Sequence, residues 1–253
     1  LSQKYEKKID LNNIYNANQK NVLIIGNSFA NDLFVGLKIN NNKFKQFNFH
    51  FLESQIRCIP SYIKIYINDL CYKSRDKFKN LYQNEFLQLL VNIDKIIIYS
   101  RYYETDIEKL GEILDHLKSV YNKKIIIVNN QPLFTGRNRF GTIYWYFLDD
   151  FVFENKRIPT KYEIYDLEKK YFTNLENNFF KIQKKNKEIQ KIANSKNIEV
   201  IDLYNFFCNE KYKRCRFFTN DNELIFRDYG HFTLEGLNFF LESELFKIIN
   251  KLN

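Results

Sequence analysis

The stretch "LIIGNSFANDL", residues 23–33, sets the reading of the whole chain. An apolar run, Val22-Leu23-Ile24-Ile25, stops at Gly26-Asn27-Ser28, and a helical pattern opens at about Phe29. A buried strand that turns sharply into a helix is the opening unit of an α/β fold. The chain holds only 7 glycines, so one at this junction is informative. Gly26 permits backbone conformations that a Cβ hinders. The helix N-terminus offers free N–H groups and a partial positive charge, which favour an oxyanion formed beside Ser28. The junction does not fit the phosphate loop G-x-x-x-x-G-K-[ST] or the dinucleotide fingerprint G-x-G-x-x-G. It does not fit the lipase elbow G-x-S-x-G either, because Ala30 replaces the second glycine.

Five segments, the first included, share this character: 21–26, 47–53, 95–100, 124–129 and 199–203. Each is short, nearly continuous in apolar character, and β-branched or aromatic, as expected of parallel strands covered on both faces. Helical patterns lie between them. Residues 105–121 place Ile107, Leu110, Ile113, Leu114 and Leu117 on one face, with Thr105 as cap. A long polar helix is expected over about 162–195, and a last helix from Thr233 towards Lys251. The alternation predicts an α/β fold: a three-layer α/β/α sandwich on a five-stranded parallel sheet. A site then forms beyond the carboxyl ends of the strands. Residues 1–253 read as one domain. The aromatic, weakly patterned stretch 132–160, with the only tryptophan, Trp145, reads as an insertion near the site.

The bulk composition excludes several classes. The 253 residues suffice for a packed core. Net charge is +9, but the lysines are dispersed and only "KKNK" at 184–187 forms a block. The basic character reads as a solvated surface, and no nucleic-acid motif is present. Aromatics make up 17%, with 25 Phe and 18 Tyr, which reads as compositional bias of the source genome. No apolar run reaches the roughly 18 residues that span a bilayer. The absence of Met, even at position 1, is expected of a processed chain or of a domain excised from a longer protein. The four cysteines form two local pairs, Cys58 with Cys71 and Cys208 with Cys215. Of three pairings, two sequence-local disulfides are the natural hypothesis and imply an oxidising compartment; four buried thiols are the alternative. The spacings match no common zinc site.

Ser28 needs a base, since a serine hydroxyl is a weak nucleophile, and histidine is the usual one. There are three. His50, in "FNFHFLE", reads as a strand-face residue. His116, beside Asp115, reads as the solvent side of a helix. His231 lies in "FRDYGHFTLEG", with Asp228 three residues earlier. That spacing lets the carboxylate reach the ring Nδ1–H, fix the tautomer and stabilise the imidazolium.

The pair of signals, G-N-S after the first strand and D-x-x-H before the last helix, resembles the SGNH (GDSL-like) hydrolase superfamily over nearly the whole chain. One branch is more similar still: the extracytoplasmic SGNH domain fused to acyltransferase-3 membrane proteins that O-acylate surface glycans. Its first block often runs G-D-S-H-A, here Gly26-Asn27-Ser28-Phe29-Ala30. Its last runs D-x-x-H-L-[ST]-x-x-G, here Asp228, His231, Phe232, Thr233 and Gly236. Cys208 with Cys215, Cys58-Ile59-Pro60, and Arg101-Tyr102 after the third strand also match that branch. The resemblance implies a triad of Ser28 (nucleophile), His231 (general base) and Asp228 (orienting partner). It implies acyl transfer, most simply of acetyl, through an acyl-serine to a cell-envelope glycan. Hydrolysis of such esters, or glycan binding without turnover, are the alternatives. No metal or organic cofactor is implied. The implied partners are an acyl donor, a glycan acceptor and a membrane acyltransferase, at a periplasmic location. The superfamily's usual Gly and Asn oxyanion donors have no counterpart in "ESQIRCIP" or "YSRYYE". The Ser28 N–H, backbone N–H groups near Ile56–Arg57, and the Arg101 side chain are the candidates in their place.

Overall fold

The computed structural model describes residues 18–59, 81–134 and 146–245. Its elements in chain order are β1 (Lys20–Gly26), α1 (Ser28–Ile39), β2 (Phe47–Glu53), α2 (Leu81–Asn92), β3 (Lys95–Tyr99), α3 (Glu104–Ser119) and β4 (Lys124–Val128). They continue with α4 (Tyr146–Asn155), α5 (Lys161–Asn194), β5 (Glu199–Ile201), α6 (Leu203–Phe207), the β6–β7 ribbon (Cys208–Asn209 and Arg214–Cys215) and α7 (Leu234–Phe240). This is the expected α/β fold on a five-stranded parallel sheet, of order β2-β1-β3-β4-β5. The order runs outward from β1 in both directions, so the topological switch point lies beside β1, where open α/β sheets place their ligands. Ser28 follows that strand directly.

The strand runs are continuous in apolar character because the sheet is covered on both faces. Leu23, Ile96 and Ile125 are aligned by register, and so are Ile25, Ile98 and Ile127. These six sit on one face and join a cluster with Leu89, Leu90, Leu110, Ile113, Leu114 and Leu117. The alternating residues Ile24, Ile97 and Ile126 on the other face are equally buried.

Three local expectations are corrected. β3, β4 and β5 end one or two residues earlier than the apolar runs. Asp202 stops β5, since its side chain accepts from Asn205 N at 3.1 Å and caps α6. Thr105 is not the cap of α3: the helix begins at Glu104, and Asp106 Oδ2 accepts from the Tyr103 N–H at 2.9 Å. The last helix runs Leu234–Phe240, continues as a π turn at Leu241–Leu245, and its expected end lies outside the described residues. Residues 135–145 of the expected insertion lie outside them too.

Lys95 is a buried lysine at the start of β3. It is 3% exposed, its Nζ has no hydrogen-bond partner among the described residues, and the Phe47 ring lies 5.3 Å away. Burial, with Lys20 and Lys124 nearby, lowers its pKa to about 8 against the pull of Asp94. The charged form is penalised only in the folded chain, so Lys95→Met is expected to raise the melting temperature at pH 7. The wild type regains stability as pH rises from about 8 to the unfolded value of ~10.4. The difference should therefore narrow across that interval. Thermal melts at pH 7 and pH 10 check this, and an undiminished gap at pH 10 would refute it.

The chain divides into two compact units, residues 1–128 with 188–200 and residues 129–187 with 201–253. The first holds β1–β4 and the aliphatic cluster above. The second has an aromatic core, in which Phe134 packs against Tyr171, Phe179, Phe217 and Phe226 with ring centroids 4.3–6.0 Å apart. Phe207, Phe232 and Phe240 extend it. Part of the high phenylalanine content thus has a packing role, which the reading as compositional bias missed. Among the described residues no helix is long and apolar enough to cross a membrane.

Candidate active site

The serine side is built in the first unit. Gly26 closes β1 against the Tyr99 backbone: a Cβ there would lie 1.6 Å from the Tyr99 carbonyl oxygen and 2.7 Å from the Ala30 Cβ. The glycine is required by this close approach of β3, not by an unusual backbone angle. Gly26 O also accepts from Ser54 N at 2.8 Å, which ties the loop after β2 to the same point. Asn27 then caps α1, its Oδ1 accepting from Phe29 N at 3.1 Å. An asparagine in place of the commoner aspartate therefore keeps the capping function. Ser28 is the first helical residue and is exposed, while Phe29 and Ala30 behind it are buried. No acidic side chain lies in the first turn, so the positive end of the helix is left for an incoming anion.

Around it, the loops after β2 and β3 are fixed by Asp106. This 1% exposed carboxylate accepts from the Arg57 N–H at 3.1 Å and from the Tyr103 N–H at 2.9 Å. The Arg57 side chain donates to Thr105 Oγ1 at 3.2 Å. The backbone donor of Arg57 is thus committed to Asp106. Ile56 is fully buried. The Arg101 guanidinium lies 5.4 Å from the Tyr103 ring.

The histidine side is built in the second unit. Asp228 Oδ2 lies 2.7 Å from His231 Nδ1. Asp228 Oδ1 accepts from the Gly230 N–H at 3.0 Å and the His231 N–H at 2.7 Å. One carboxylate therefore closes the turn and orients the ring. Burial pushes the Asp228 carboxyl up, but the hydrogen bonds from His231 and Gly230 outweigh it and hold it below the ordinary aspartate range. An ionised Asp228 accepting at Nδ1 leaves Nε2 as the basic nitrogen.

The rest of the motif has structural work. Phe232 enters the aromatic core. Thr233 caps α7, its Oγ1 accepting from Gly236 N at 2.9 Å and donating to Leu224 O. A Cβ on Gly236 would lie 2.1 Å from Ile225 O, so the first turn of α7 sits directly on the strand-like segment before the turn.

The sequence reading missed the residues that hold this turn in place. Gln131, 1% exposed, donates from Nε2 to Gly230 O, and Phe134 N donates to Tyr229 O at 2.8 Å. Both come from the segment after β4. Asn130 and Asn186 are bonded to each other behind it, Asn130 N and Nδ2 donating to Asn186 Oδ1 and Asn186 Nδ2 to Asn130 O. The signal for Asn186 was its position on the apolar stripe of α5.

His50 and His116 are accounted for elsewhere. His50 Nε2 lies 3.1 Å from Asn21 Oδ1 in the buried strand layer, and the His116 ring packs on Tyr121. Among the described residues no group of three or more His, Cys, Asp or Glu side chains is placed to hold a metal ion. Cys208 and Cys215 are disulfide-bonded directly across the β6–β7 ribbon. Cys58 is also disulfide-bonded; Cys71, its expected partner, lies outside the described residues.

A family model described as "SGNH domain (fused to AT3 domains)" matches residues 4–242. The chain is similar in structure to the periplasmic domain of a lipopolysaccharide acetyltransferase from Salmonella ser. Paratyphi A, with a TM-score of 0.57 and 18% sequence identity over 96% of this chain and 90% of that one. At that identity the likeness speaks for the fold. No curated protein sequence is a significant match.

Proposed function

The chain belongs to the family of SGNH domains fused to AT3 domains, and on that premise we propose that it transfers an acyl group, most simply acetyl, through an acyl-serine at Ser28. In this reading His231 Nε2 removes the Ser28 proton as the oxygen attacks the donor's carbonyl carbon. The imidazolium then protonates the leaving group. In the second half-reaction His231 deprotonates the acceptor, a glycan hydroxyl, whose oxygen displaces Ser28. Asp228 stabilises the imidazolium in both steps. The oxyanion is received by the Ser28 N–H at the start of α1, with the Ile56 N–H and the Arg101 side chain as further donors. Arg57 leaves that set because its N–H is bonded to Asp106. The observation that carries the reading is the 2.7 Å Asp228–His231 hydrogen bond, built inside the family's last block.

The acceptor is proposed to be a cell-envelope glycan and the location extracytoplasmic, in company with a membrane acyltransferase domain. Both rest on the fusion that defines the family. Hydrolysis of acetyl esters uses the same triad with water as acceptor. A fluorophosphonate probe tests the chemistry directly: Ser28 should be labelled, and His231→Ala should abolish labelling. An unlabelled Ser28 in folded wild-type protein would sink the proposal and favour a glycan-binding module. Gln131→Leu keeps the side chain's size but removes the donor to Gly230 O. It is expected to lower the kcat for acetyl-ester cleavage about tenfold with little change in KM, since small displacements of a base cost rate steeply. An unchanged kcat would show that the turn holds its geometry without Gln131.

A further inference from the structure

The second unit contains a cavity of about 630 Å³ that the triad does not use. It is walled by α6, the disulfide-bonded β6–β7 ribbon, the start of α5 and the end of the chain's last helical stretch. Its lining combines two arginines, three asparagines and several aromatic rings, and among the described residues no aspartate or glutamate. The two arginines differ. Arg214 is neutralised, because its Nε donates to the buried carboxylate of Glu168, which also accepts from Phe217 N at 2.7 Å. Arg216 has no such partner among the described residues. Its guanidinium meets one amide oxygen, Asn220 Oδ1, at 3.4 Å and lies 5.8 Å from the Phe239 ring. A half-buried guanidinium offers several N–H groups in a planar fork, the geometry that takes a carboxylate or phosphate.

Of the three asparagines, Asn205 spends its NH2 on Asp202 Oδ2 at 2.7 Å, and the other two are placed differently. Asn209 spends its Oδ1 on Tyr212 N, 3.2 Å away, and Asn220 spends its Oδ1 on Arg216. Each thereby turns its NH2 to other partners. Phe206 and Tyr212 supply apolar wall. The volume far exceeds an inorganic anion and lies in the range of small-molecule sites.

We propose that this cavity binds an acidic sugar residue, with Arg216 on its carboxylate or phosphate, Asn209 and Asn220 on its hydroxyls, and Phe206 and Tyr212 against its ring. It would make the chain selective for anionic glycans, and it rests on the cavity alone, independently of turnover at Ser28.

The test is calorimetric titration of the 253-residue chain with hyaluronan tetrasaccharide, with maltotetraose as neutral control. The acidic tetrasaccharide should bind at least tenfold tighter. Arg216→Gln should weaken it tenfold or more, as loss of a charge-assisted pair implies. Asn209→Asp keeps the acceptor for Tyr212 N, so the ribbon's turn survives, and should weaken binding similarly by placing a carboxylate in the cavity. Lys184→Ala/Lys187→Ala, which removes charge from a solvated face, should change affinity less than twofold. Displacement by glucose 6-phosphate would assign the acid group as phosphate, and retention of the tetrasaccharide against it would assign carboxylate; either supports the site. Equal losses in the arginine and lysine variants would reduce the binding to general surface charge and overturn the proposal. So would equal affinity for the neutral sugar, or no binding of either acid at 10 mM. Ser28→Ala should bind as wild type does, so a failed triad and a failed cavity remain distinguishable.

Discussion

Ser28→Ala is expected to lower the turnover of p-nitrophenyl acetate by on the order of 10⁴-fold or more, with an unchanged melting temperature. The side chain is exposed at the first position of α1, so its loss leaves no buried cavity and no unmet cap; Asn27 performs the capping. What disappears is the oxygen proposed to take the acyl group. A helix terminus and an imidazole next to bulk water still assist hydrolysis slightly, which sets the residual rate. His231→Ala should cost about as much, and the double variant no more than either single one, because the two groups act in one step. Additive losses would mean that His231 does something other than activate Ser28. Retention of even a tenth of wild-type turnover by Ser28→Ala would remove the acyl-serine from the mechanism.

The parts of this molecule that could be read in the sequence are those where one residue type answers to one physical demand. Burial on both faces forces an unbroken apolar run, so all five strands were visible. A carboxylate three residues before a histidine either closes a turn onto the ring or does nothing, and here it closes the turn. The cysteine pair across 208–215 was visible, yet its two-residue strands were not, because so short a ribbon has no periodicity of its own. Tertiary partners were the harder case. Thr105 looked like a cap, but the buried Asp106 one residue on holds the entry to α3. The long helix α5 looked polar, while its buried stripe Ile164, Glu168, Tyr171, Leu175, Phe179, Ile182, Asn186 is periodic throughout. Glu168 and Asn186 interrupt that stripe, and each proves to be a polar anchor, one for Arg214 and Phe217 N, the other for Asn130. A charged or amide residue at an apolar stripe position is therefore the signal that periodicity alone concealed.

Gly26→Ala is expected to be the most damaging substitution for the fold. The reading from sequence assigned the glycine to backbone freedom; the structure assigns it to space. A methyl at Gly26 would sit 1.6 Å from the Tyr99 carbonyl oxygen, an atom belonging to the neighbouring central strand and aligned with Gly26 in the parallel register. A flexible side chain could swing aside, but a backbone carbonyl held between two buried strands moves only if β1 and β3 part at their carboxyl ends. Overpacking of a core by a methylene costs about 1–3 kcal/mol where side chains give way, and more is expected where only backbone can. A loss of about 3 kcal/mol in a chain of this size corresponds to a fall of roughly 10 °C in melting temperature. The same displacement strikes the Ser54 N–H bond to Gly26 O and the capped start of α1. Fluorophosphonate labelling of Ser28 should therefore fall at temperatures where the variant is still folded. Ser28→Ala, by contrast, should keep full stability. A Gly26→Ala protein that melts with the wild type and labels at its rate would mean that the strand-to-helix junction is looser than its contacts state, and that Ser28 does not owe its position to them.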